Sequence, residues 1–191
     1  MKTDNTAYRS TIRIVLAAAA LLLVPLVAMQ FTDEVVWTPF DFAAAGTLLV
    51  GTALLYQLGV RKATNFVYRA AVGVALGGAL FLVWSNLAVG LIGSEDNPAN
   101  FMYAGVLAVC LAGAVAARSQ PRGMARALFA TAAAQALVGA IAIILRLGAP
   151  ESGPLELLGV NGMFVVLFVA SAALFRRAAL EQPRAGAARP A

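Results

Sequence analysis

The sequence predicts an all-α polytopic bundle of six transmembrane helices with both termini in the cytoplasm, and three observations predict it. Hydrophobic residues make up 61% of the 191 and charged residues only 12%, with a mean hydropathy of +0.84. Soluble domains carry roughly 45–50% apolar and about 25% charged residues, so this chain has too little polar surface to cover itself and the excess must face lipid. The apolar residues also fall into runs close to the ~20 residues that cross a hydrocarbon core. Finally, the basic residues cluster in alternate connections between those runs, which is the pattern that sets membrane orientation. None of the runs shows the polar/apolar alternation of barrel strands, and helices satisfy every backbone group internally.

The six expected spans are 14–29, 40–60, 70–92, 101–117, 127–145 and 157–175, within a single transmembrane domain over 1–178. The first and fourth are short. Lys2, Arg9 and Arg13 ahead of a run ending Val27-Ala28-Met29 give the first a loose likeness to a signal peptide. The run is long for a signal core and no small-x-small site follows, so it is expected to be retained as a helix. Pro25 is expected to kink its outer end, which neighbouring helices tolerate.

The second span opens with Trp37-Thr38-Pro39-Phe40-Asp41. Thr38 suits an N-cap, Pro39 the first helical position, and Asp41 the residue that bonds back to the cap. The alternative makes Asp41 a cation or substrate site at the membrane edge. Capping is preferred because every part of its signature is present.

Trp84, Ser85 and Asn86 are placed in the outer half of the third span, with Gly73 and Gly77 forming a GxxxG step. The connection 93–100 reads Gly-Ser-Glu-Asp-Asn-Pro-Ala-Asn. Gly93 is a natural helix stop, Asn97-Pro98 a turn, and Asn100 an N-cap for the fourth helix. Glu95 and Asp96, with the neighbouring amides, are dense enough in oxygen to hold a hard cation. Their spacing fits no known cation loop, and the turn-and-cap reading is preferred.

Tyr103 starts the fourth span, where Ala104, Ala108 and Ala112 form a row of small residues. In the fifth, Gln135 lies on a stripe with Ala127, Thr131 and Gly139 at intervals of four, and Asn161 is expected at outer depth on the sixth. Asn86, Gln135 and Asn161 either line a small polar cavity or bond helix to helix; such bonds contribute only about 0.6–2 kcal/mol each. Helix-to-helix bonding is preferred. Residues 179–191, rich in Ala, Arg, Pro and Gly, are expected to be a disordered cytoplasmic tail.

Placing the N-terminus inside puts Lys2, Arg9, Arg13, Arg61, Lys62, Arg69, Arg118, Arg122, Arg126, Arg176, Arg177, Arg184 and Arg189 in the cytoplasm, leaving only Arg146 outside. The positive-inside rule then fixes the orientation. Asp33, Glu34, Asp41, Glu95, Asp96, Glu151 and Glu156 fall outside, and Asp4 and Glu181 within.

The net charge of +5 is not that of a nucleic-acid binder, because the basic residues follow the membrane pattern. There is no histidine and one cysteine, Cys110. That removes histidine-based catalysis and the commonest haem and zinc ligands, and a lone Cys in an apolar run is ordinarily a small buried hydrophobe. No phosphate-binding glycine loop is present, no cofactor is expected, and no internal repeat is evident. The expected partners are the lipid bilayer and other membrane proteins, with a bacterial inner membrane as the compartment. The preferred function is a non-catalytic accessory or assembly subunit of a membrane complex. The alternatives are a small permease or channel with an acidic outer mouth, and a lipid-modifying enzyme using Asp41, Glu95 and Asp96.

Overall fold

The computed structural model describes residues 2–32, 35–61, 63 and 65–187. Its elements are α1 (Lys2–Ala28), α2 (Pro39–Val60), α3 (Phe66–Ala88), a 3₁₀ turn (Pro98–Phe101), α4 (Met102–Ala117), α5 (Pro121–Ile144) and α6 (Pro154–Ala187). Five segments are long and apolar enough to cross a membrane: Pro39–Val60, Phe66–Ala88, Pro98–Ala117, Pro121–Ile144 and Pro154–Glu181. The chain is a polytopic membrane protein. The expectation of six spans needs one qualification, because the apolar part of α1 is only Ile14–Ala28. At 1.5 Å per residue it covers roughly 22 Å of a hydrocarbon core of about 30 Å. Asp33, Glu34, Lys62 and Arg189 lie outside the described residues.

The chain divides into two compact units, Met1–Leu58 and Gly59–Ala191. In the first, α1 continues through Pro25, whose carbonyl accepts from the Met29 N–H at 3.0 Å. Among the described residues, Ala18 and Ala45 are buried in it. A Cβ at Gly46 would stand 3.5 Å from Leu22 Cδ1, so α2 meets α1 there.

In the second unit the helices pack in the order α4, α5, α6, α3, and α3 touches α4 only sparsely. Each helix buries one stripe. On α5 it includes Ala127, Thr131, Gln135 and Gly139, the row that spacing predicts, and on α6 Leu157, Asn161, Phe164, Phe168, Ser171 and Phe175. Glycine permits the closest approaches: a Cβ at Gly113 would lie 2.6 Å from Ala127 Cβ, and one at Gly139 2.8 Å from Asn161 Cβ. α3 joins α6 through Ser171 Oγ, which donates to Ala71 O at 2.9 Å. The rings of Phe81 and Phe164 add a contact at 5.5 Å between centroids.

The small-residue rows expected on α3 and α4 do not make these contacts. Gly77 is exposed whereas Gly78 faces Leu167 and Phe168, and Ala104, Ala108 and Ala112 are all exposed. α4 instead buries Tyr103, Val106 and Ala117.

The second unit has two chemically distinct ends. At one, Asn65 caps α3 by accepting from the Val67 N–H at 2.6 Å and donates to the Glu181 carboxylate. Tyr68 O–H donates to Ser119 O at 3.0 Å and its ring lies 5.2 Å from that of Phe175. Arg69, Arg118, Arg122, Arg126, Arg176 and Arg177 belong to the segments gathered here. At the other end, Asn97 Nδ2 donates to Leu147 O at 2.8 Å, joining the α3–α4 connection to the α5–α6 connection. Glu95, Asp96, Glu151 and Glu156 belong to this end, with Arg146 as the exception.

The α3–α4 connection is built around Asn100, and here the structure corrects the helix boundary. α3 ends at Ala88 rather than continuing to residue 92. The stop is Gly90, at φ +68, where a Cβ would collide with Ser94 O. Leu91 and Ile92 are buried as loop residues, and their N–H groups donate to Asn100 Oδ1 at 3.0 and 2.9 Å. Asn100 Nδ2 donates to Ser94 O at 2.7 Å. The cap of the following turn is Asn97, whose Oδ1 accepts from the Ala99 N–H at 2.9 Å, and not Asn100.

Replacing Asn100 by Ala strips the Leu91 and Ile92 N–H groups of their acceptor inside the protein. The expected cost is about 2–6 kcal/mol, at 1–3 kcal/mol per orphaned buried group. Thermal unfolding in detergent micelles checks it; an unchanged Tm would mean that the loop is held by something other than Asn100.

Candidate functional site

The six residues singled out in the sequence separate into four environments. Asp41 closes a capping box at the start of α2. The Thr38 N–H and hydroxyl donate to its Oδ2 at 2.7 and 2.8 Å, and its own N–H donates to Thr38 Oγ1 at 3.3 Å. This is the cap that the sequence pattern predicts, and it occupies the carboxylate with local bonds.

Glu95 and Asp96 are exposed in the α3–α4 connection. The amide oxygens beside them, on Asn97 and Asn100, are already accepting from backbone N–H groups. Among the described residues no cluster of three or more His, Cys, Asp or Glu is arranged to hold a metal ion.

Gln135 and Asn161 meet inside the bundle, and Tyr103 joins them. Asn161 Oδ1 accepts from the Tyr103 hydroxyl at 3.1 Å and from Gln135 Nε2 at 3.0 Å. Asn161 Nδ2 donates to Leu157 O one turn earlier on α6, at 2.9 Å. Gln135 is 0%, Tyr103 1% and Asn161 4% exposed, so none of these bonds competes with bulk solvent. One turn from Gln135 on α5, Thr131 Oγ1 donates to Ala127 O at 2.9 Å.

Hydrogen-bond direction fixes both amides. Leu157 O can only accept, which sets Asn161 Nδ2 towards it and Oδ1 towards α4 and α5. Gln135 must then present its NH₂ to that oxygen, and its Oε1 is left buried without a partner. Turning either amide over would set oxygen against oxygen. The arrangement can bond three helices together and hold an unpaired acceptor, but the amides carry no charge and supply no nucleophile or acid–base pair.

Asn86 stands apart from this triad. Its side chain lines a groove of about 100 Å³ between α3 and α4, with Tyr103 on the opposite wall, and its Oδ1 is buried without a partner. Gln135 and Asn161 are not among the residues that line that groove, and what links it to them is Tyr103. That residue lines the groove with its body and bonds Asn161 with its hydroxyl.

No protein-family model matches the chain, and no curated protein or solved structure shows significant similarity to it.

Gln135→Met removes one of two donors to Asn161 but also removes the orphaned Oε1, so the expected change in stability is within about 1 kcal/mol of zero or favourable. Asn161→Leu leaves the Tyr103 and Gln135 donors unpaired and is expected to cost about 2–4 kcal/mol. Unfolding of both variants in the same lipid–detergent mixture tests the order, and a more damaging Gln135→Met would mean that Oε1 has a donor.

Proposed function

We propose that this protein is a non-catalytic accessory or assembly subunit of a membrane protein complex. We place it in a bacterial inner membrane, with both termini and the arginine-rich end of its second unit in the cytoplasm. That orientation follows from the positive-inside rule, since Arg69, Arg118, Arg122, Arg126, Arg176 and Arg177 share one end.

The observation that carries the reading is where the polar side chains go. Asp41 closes a cap, Asn100 holds a loop, and Ser171, Tyr103, Gln135 and Asn161 bond helix to helix. A permease needs polar groups lining a path, and an enzyme needs them converging on a reacting atom. Here they are used to assemble helices. α2 supports a partner from another direction: Ala45 is its one buried residue among those described. A shallow face of α2 carries Ala43, Thr47 and Gly51 at intervals of four, small side chains that let a second helix come close.

The test is the composition of the assembly released from native membranes by mild detergent, at native expression level. Stoichiometric co-purification with other membrane subunits, at a mass well above the 19.7 kDa of the chain, is expected. The combined change Asp41→Asn, Glu95→Gln, Asp96→Asn should leave that assembly intact. A lone monomer or homo-oligomer would contradict the reading, and the same triple variant would then be assayed for lost transport.

A further inference from the structure

We propose that the groove between α3 and α4 binds the hydroxyl-bearing end of a lipid-like aliphatic molecule, with Asn86 Oδ1 as hydrogen-bond acceptor. The groove exists because α3 and α4 are the outer members of the packing order and touch only sparsely. Leu82, Val83 and Leu87 form one wall, Phe101, Ala104 and Leu107 the other, and Asn100 and Tyr103 complete it. Apart from Asn86, both polar side chains that line it are committed elsewhere. Asn100 bonds four backbone groups of its own loop, and the Tyr103 hydroxyl donates to Asn161.

Asn86 Oδ1 is buried and has no partner. An amide oxygen left unpaired away from water carries a desolvation penalty that any donor would relieve. The terminal torsion of Asn is a broad one, so the amide turns towards an incoming donor without leaving its χ1 well.

Three features select the occupant. Size comes first: about 100 Å³ is less than the roughly 150 Å³ of an engineered cavity that takes up benzene, so only the end of a chain enters. Water itself is a poor fit, because each buried water needs two to four polar partners and the groove offers one free amide. Chemistry comes second. A bare acyl chain fills the groove but leaves Oδ1 unpaired, and an ionic headgroup finds no opposite charge among the lining residues. A hydroxyl supplies the missing donor and follows it with apolar atoms.

Position comes third. Asn86 is two residues from the end of α3 at Ala88, and Tyr103 is the second residue of α4. The groove therefore lies near the ends of two membrane-spanning segments, the depth at which lipid hydroxyls meet acyl chains.

The probe is a long-chain alkanol with a photoactivatable diazirine beside its hydroxyl, compared with its methyl ether, which lacks the donor. Both are applied to the purified full-length protein in phosphatidylcholine nanodiscs, and labelled peptides are quantified by mass spectrometry. Labelling of the peptides carrying Val83, Leu87, Phe101 and Ala104 should favour the alcohol over the ether by about five-fold, the factor that corresponds to one hydrogen bond. Peptides of α1 report non-specific partition and should show no preference. Asn86→Leu should abolish the preference while leaving α1 labelling unchanged. Equal labelling by alcohol and ether in the unaltered protein overturns the proposal without recourse to any variant. So does absence of label at the groove, or a preference that survives in Asn86→Leu.

Discussion

The shared acceptor Asn161 Oδ1 is the interaction on which the second unit depends. It takes a donor from α4 and another from α5, while the same side chain is anchored to its own helix at Leu157. Between helices already immersed in lipid the hydrophobic effect supplies no net drive to associate, so close packing and interhelical hydrogen bonds must do so. Gly139 is what permits the bond to Gln135: a Cβ there would lie 2.8 Å from Asn161 Cβ. Gly113 serves the same purpose one interface away, against Ala127. Small residues bring the backbones together, and one asparagine fixes which faces meet.

The two ends follow from that packing. With the helices held in one order, the connections are forced together in pairs, and Asn97–Leu147 and Tyr68–Ser119 are the bonds that result. The segregation of the unit's described arginines other than Arg146 to one end, and of its carboxylates other than Glu181 to the other, is then a property of the folded unit and not only of the linear sequence. The unpaired acceptors on Gln135 and Asn86 are the places where the bonding is incomplete. Gln135 is sealed inside the bundle, whereas Asn86 lies in a groove that opens between α3 and α4.

Much of this was legible in the sequence, and the reasons it stops are physical. Hydropathy located five spanning helices and the apolar part of α1, because transfer from water depends on composition over a window. It misplaced the end of α3, because Leu91 and Ile92 are as apolar as helix residues yet are buried as loop anchors under Asn100. The period-four stripe on α5 was legible because Thr131 and Gln135 are rare polar marks on an apolar helix. The rows of small residues on α3 and α4 do not mark the packed faces, because alanine and glycine are so frequent that every face of those helices offers a match. The Thr38–Asp41 cap was readable from local spacing alone. The bonds of Tyr103 to Asn161 and Ser171 to Ala71 join residues far apart in sequence, and no local pattern encodes which helix lies opposite which.

The most direct test of the central claim is a double-mutant cycle between Tyr103→Phe and Asn161→Leu, read as unfolding free energy in a lipid bilayer. A shared buried bond predicts a coupling of about 0.6–1.7 kcal/mol, the range for interhelical hydrogen bonds in membranes. Strictly additive effects would mean that Tyr103 and Asn161 do not meet, and the packing of α4 through α5 onto α6 would have to be drawn differently.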